Sequence, residues 1–86
     1  MSNFDEIELL LSRLLVAATP VLSTADRTEV QRFIDVGEYG LALETAVAIY
    51  SEEKKIATAD VLDLIERLAS AMSMDPAPLI EQCRNA

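Results

Sequence analysis

Residues 35–44 read Asp35-Val36-Gly37-Glu38-Tyr39-Gly40-Leu41-Ala42-Leu43-Glu44, and both glycines of the chain lie in this stretch. One apolar-periodic segment ends just before it, near Val36, and another begins near Leu41. Glycine enters left-handed backbone angles without steric cost, so a glycine just past a helix is a common way to stop it. Gly37 is therefore expected at the C′ position of a helix, and Gly37 to Glu44 at the corner of a helix–turn–helix pair.

The pattern extends in both directions. Upstream, Ser23-Thr24-Ala25-Asp26 pairs a hydroxyl cap with an acid three residues later, the signature of a helix start. Val30, Phe33 and Ile34 then form a narrow apolar face, with Arg27, Glu29, Arg32 and Asp35 on the others. A first helix is expected from Ser2 or Asn3, where Asn3 and Glu6 resemble a capping box. Phe4, Ile7, Leu11, Leu14, Leu15 and Ala18 recur at helical spacing, and Leu9, Leu10 and Val16 widen the stripe. So broad a face suggests a central helix packed on two sides, ended by Pro20.

Downstream, Leu41, Ala42, Leu43, Ala46, Val47, Ile49 and Tyr50 mark a third helix, with Lys54 and Lys55 at its C-terminal end. Thr58 caps a fourth, the most cleanly amphipathic. Val61, Leu62, Ile65, Leu68, Ala69 and Met72 share one face, opposite Asp60, Asp63, Glu66, Arg67, Ser70 and Ser73. Asp75-Pro76 reads as a cap followed by a first-turn proline, opening a short last helix with Leu79, Ile80 and Cys83. The short connections imply antiparallel packing of sequential neighbours. The expected fold is all-α: a single small bundle of four to five short antiparallel helices forming one domain over residues 1–86.

Composition narrows the function. The chain has 86 residues, 51% of them hydrophobic, with 15 acids against 7 bases and a net charge of −8. At this length only about 60% of the unfolded chain's surface is buried on folding, so modest stability is expected. No stretch is net basic, which argues against direct nucleic-acid binding, because phosphate recognition needs a positive stripe. The run Leu9 to Ala18 is interrupted by Arg13 and is too short to span a bilayer, and the acidic N-terminus is unlike a secretory leader. A cytoplasmic protein is expected. There is no histidine, and Cys83 is the one cysteine, so transition-metal ligation and Cys/His or Ser/His catalysis lack their parts. Neither a calcium loop nor a phosphate-binding glycine loop is present. The sequence points to no enzyme and no cofactor.

What remains is a surface for another protein. The first candidate gathers Asp35, Glu38, Tyr39 and Glu44 around the second corner, tyrosine being a favoured interface anchor. Its structural alternative has Tyr39 packing across the corner with its hydroxyl reaching Glu44 or a helix end. The second candidate is the acidic face of the fourth helix, Asp60, Asp63 and Glu66, whose plain alternative is a solvated surface.

The segment Asp35 to Glu44 resembles the signature of the MafI-type immunity proteins of bacterial polymorphic and contact-dependent toxin systems. The similarity is sharp over residues 29–50 and diffuse elsewhere. It implies a non-enzymatic inhibitor of a cognate secreted toxin's C-terminal domain, often a nuclease, that covers the active site or a neighbouring surface. On that resemblance Asp35, Glu38 and Glu44 would pair with toxin Lys or Arg, and Tyr39 would be a packed anchor. Immunity proteins tend to vary where they touch their toxins, which keeps Asp60, Asp63 and Glu66 in play. A basic nuclease cleft and a −8 partner suit one another electrostatically. Two rival readings are a helical adaptor that homodimerises through its apolar first helix, and a mimic of DNA that occupies a basic groove.

Overall fold

The computed structural model describes residues 3–84. It contains five helices: α1 (Asn3–Ala17), α2 (Thr24–Asp35), α3 (Tyr39–Glu52), α4 (Ala59–Ala71) and α5 (Pro76–Arg84). The all-α expectation is met, and among the described residues there is no strand.

The helix ends follow from local chemistry. Ser23 Oγ accepts the Asp26 amide at 3.1 Å, and Asp26 Oδ2 accepts the Ser23 amide at 3.0 Å, completing a capping box. Thr58 Oγ1 accepts the Val61 amide at 3.2 Å. Asp75 Oδ1 accepts the Ala77 amide at 3.0 Å, with Pro76 as the first residue of α5. Gly37 has φ +80°. Its amide donates to the Ile34 carbonyl, and the Glu38 amide to the Phe33 carbonyl at 2.8 Å. Those two bonds are a Schellman motif, which satisfies the carbonyls a helix end leaves over. The cap expected at Ser2 or the Asn3 side chain lies outside the described residues.

Two further helices end the same way without glycine. Lys54 has φ 53° and Ser73 has φ 57°. The Lys55 amide donates to the Tyr50 carbonyl at 3.0 Å, and the Met74 amide to that of Ala69 at 2.7 Å. Lys54 and Lys55 thus lie beyond α3, in its closing turn, and its last helical turn holds no base. The third helix also starts earlier than Leu41, at Tyr39, with Glu38 as an N-cap whose side chain makes no capping bond. At the end of α1 the helix gives way at Ala17 to turns through Val21, ahead of Pro20.

Packing corrects the expected order of neighbours. The strongest pairs are α1 with α4 and α2 with α3, and α5 bridges α3 and α4. Helix α1 touches α2 and α3 more lightly. The α1–α4 pair is a long-range one, set by complementary apolar faces rather than by a short loop. The molecule measures 36 × 27 × 18 Å, so its thin dimension holds two helix layers at the usual 8–10 Å spacing.

The core is formed by Leu11, Leu14, Leu43, Val47, Ile65 and Leu68 with their neighbours, and no described polar or charged residue is buried. Cys83 is fully buried within it, as expected of a small hydrophobe. The covered part of the α1 stripe is narrower than the sequence implies, although Leu10 is buried. Phe4, Leu9 and Val16 are 62%, 53% and 73% exposed. At about 100° per residue, Leu9 and Val16 fall on the side of α1 away from Leu14, where nothing in the described chain covers them.

Candidate protein-binding surface

The N-terminus of α1, the α2–α3 corner and the C-terminus of α4 meet at one end of the molecule. There Phe4, Ile7, Gly37, Glu38, Tyr39, Gly40, Ala71, Met72 and Ser73 line an open groove. The Schellman turn at Gly37 presents Glu38 and Tyr39 to this groove, and the α1–α4 pairing supplies the opposite wall. The Phe4 and Tyr39 rings lie 5.8 Å apart at an interplanar angle of 39°, an offset geometry typical of favourable aromatic pairs.

The Tyr39 hydroxyl donates to Glu8 Oε2 at 2.5 Å. The structural alternative read from the sequence places that hydroxyl on Glu44 or a helix end. The actual acceptor lies 31 residues away, on α1. This bond to Glu8, followed by partial burial and the charges of Glu8 and Asp5, holds the Tyr39 phenol above its ordinary pKa. Phe4 and Glu8, one helical turn apart, were not among the expected site residues. The signal that could have found them is their shared α1 face at i, i+4.

A second groove runs alongside, lined by Glu6, Leu10, Asp63, Glu66, Arg67, Ser70, Ala71 and Ser73. Ala71 and Ser73 line both grooves, so the corner and the α4 acidic face are parts of one continuous surface. Two candidate patches that are separate in sequence become neighbours through the α1–α4 pairing. Across this surface lie Glu6, Glu38, Asp63 and Glu66, with Arg67 as the base in the lining. Arg67 Nε donates to Asp63 Oδ2 at 2.8 Å in an exposed i, i+4 pair, so Asp63 is locally neutralised while Glu66 is not.

The remaining expected residues sit elsewhere. Asp35 accepts from Gln31 Nε2 at 2.9 Å and lines a different depression with Arg27 and Arg32. Glu44 is exposed, and five residues along α3 place it about 140° around the helix from Tyr39. Asp60 is exposed in the first turn of α4 and lines neither groove. The structure therefore brings together Glu38, Tyr39, Asp63 and Glu66, and leaves out Asp35, Glu44 and Asp60.

Gly40 differs from Gly37. It is helical, and a Cβ built there meets nothing within 4 Å. The fold does not require glycine at this position, and the backbone is open to close approach from outside. Among the described residues no group of three or more His, Cys, Asp or Glu side chains is placed to hold a metal ion, and no helix is long and apolar enough to cross a membrane.

No protein-family model, curated protein or solved structure matches the chain.

Proposed function

We propose that this chain is an immunity protein, a cytoplasmic inhibitor that binds a cognate secreted toxin domain and blocks it without chemistry of its own. The partner is a basic protein, a nuclease domain above all, and inhibition is by covering its active site or substrate-binding surface. The observation that carries this reading is the continuous acidic surface joining Glu38 and Tyr39 to Glu66, with its one lining base already engaged. Such a surface speeds encounter with a basic partner and disfavours like-charged ones. The sequence resemblance over residues 29–50 points the same way.

The test is co-expression of the chain with the C-terminal domain encoded immediately upstream, scored by growth and by co-purification. Rescue of growth and a salt-sensitive complex are expected. Toxicity that the chain does not relieve, or a harmless upstream domain, would overturn the reading.

A second reading, a homodimeric adaptor, is favoured by Leu9 and Val16, two large apolar side chains exposed on the free side of α1. It predicts a dimer of the purified chain that Leu9→Glu converts to monomer. A monomer at high concentration removes it.

A further inference from the structure

We infer that the groove between Phe4 and Tyr39 is a receptor for an arginine carried on a loop of a basic protein partner. This rests on the proposed function, whose partner it describes in more detail. Three features stand at the groove and its margin. At the margin, outside the lining itself, Glu8 accepts the Tyr39 hydroxyl through Oε2, which fixes the carboxylate and leaves Oε1 without a partner among the described residues. Beside it stands the Phe4 ring, 62% exposed and tilted against Tyr39. The floor is apolar, formed by Ile7, Ala71 and Met72.

A guanidinium suits this arrangement better than an ammonium. Its planar face stacks on an aromatic ring while its edge donates to a carboxylate, and it is the more weakly hydrated cation. The three-carbon stem of arginine would lie on the apolar floor, as long basic side chains do on apolar surface. The Tyr39–Glu8 bond holds the acceptor in place beforehand, so less ordering is needed on binding.

The other end of the groove offers main-chain donors beside the Glu38 carboxylate. Helix α3 begins at Tyr39 with no side-chain cap, so its first-turn amides retain donor capacity. Gly40 has no Cβ and open space beside it, which lets main chain approach. Backbone carbonyls of the same loop fit this end. The groove thus orders its occupant, with the arginine head at Phe4 and Glu8 and the loop's backbone at Gly40.

The experiment is an amide-resolved NMR titration of the full chain with acetyl-Gly-Arg-Gly-amide, compared with acetyl-Gly-Lys-Gly-amide. Saturable shifts of the Gly37, Gly40 and Ser73 signals are expected, stronger for the arginine peptide. Phe4→Ala and Glu8→Gln alter exposed side chains, and each should weaken binding by about threefold to tenfold. Equal shifts near remote acids such as Glu44 and Glu81, or no effect of either substitution, would overturn the inference. The two levels separate cleanly. Growth rescue that survives Phe4→Ala and Glu8→Gln unchanged sinks the arginine groove and spares the immunity reading. Specific arginine binding by a chain that rescues nothing does the reverse.

Discussion

Among the described residues, Gly37, Lys54 and Ser73 close helices with positive φ, and one of the three is glycine. At Gly37 an added Cβ meets no neighbour, so the penalty of a substitution is purely conformational. Gly37→Ala should destabilise by about 1 kcal/mol or more, read as a lower urea midpoint. At Lys54 and Ser73 the same argument runs backwards. Ser73→Gly or Lys54→Gly relieves a left-handed L-residue at the cost of greater unfolded-chain entropy. A net gain of about 0.5 kcal/mol is expected from each, and an unchanged or lower midpoint would contradict it. The tyrosines offer a second measurement at this scale. Both phenols are raised above 10.0, Tyr39 first by its bond to Glu8 and Tyr50 first by burial. A raised folded pKa favours the protonated folded form. The associated stability is therefore fully present below pH 10.0 and is lost as pH rises through the folded values. Near-ultraviolet titration should show both phenolates forming late, and Glu8→Gln should bring Tyr39 alone back toward its usual range.

At the level of helices, the legible features were those decided within a few residues. Ser23 with Asp26, Thr58, Asp75 with Pro76, and Gly37 are caps whose donors and acceptors lie within one turn, and all form as read. The closing turns at Lys54 and Ser73 were not legible, because their residue types do not favour positive φ and tertiary packing overrides that preference. The exposure of Leu9 and Val16 was missed for a related reason. Helical periodicity shows that a side chain is apolar, and only the α1–α4 pairing shows which arc of α1 is covered. The Glu8–Tyr39 bond and the junction of the two grooves depend on that same long-range pairing. Gly40 tests the division between folding and binding within one helix. Alanine is the better helix former by about 0.8–1.0 kcal/mol in a helix interior, and nothing obstructs its Cβ. Gly40→Ala should therefore raise the thermal midpoint while weakening engagement of a partner's main chain. A destabilised Gly40→Ala would mean that the glycine serves the fold.

Charge acts over the whole molecule, because among the described residues no Asp, Glu, Lys or Arg is buried, and every charge that could steer a partner is at the surface. Helix α3 sets the geometry. Its N-terminus carries Glu38 and the corner, while Lys54 and Lys55 follow its C-terminus, and its 14 residues span about 21 Å. That separation exceeds two Debye lengths of about 8 Å at physiological ionic strength. Glu38 and the paired lysines are thus electrostatically independent under those conditions. For a complex with a basic toxin domain, Glu38→Lys and Glu66→Lys should each slow association and flatten its salt dependence. Their exposure keeps the effect on stability within about 0.5 kcal/mol. Lys54→Glu with Lys55→Glu should leave both the rate and the salt dependence nearly unchanged. Stopped-flow association rates at several salt concentrations distinguish the cases. If the lysine pair changed the rate and the glutamates did not, the contact would lie at the α3–α4 turn, and the acidic surface would be an ordinary solvated face.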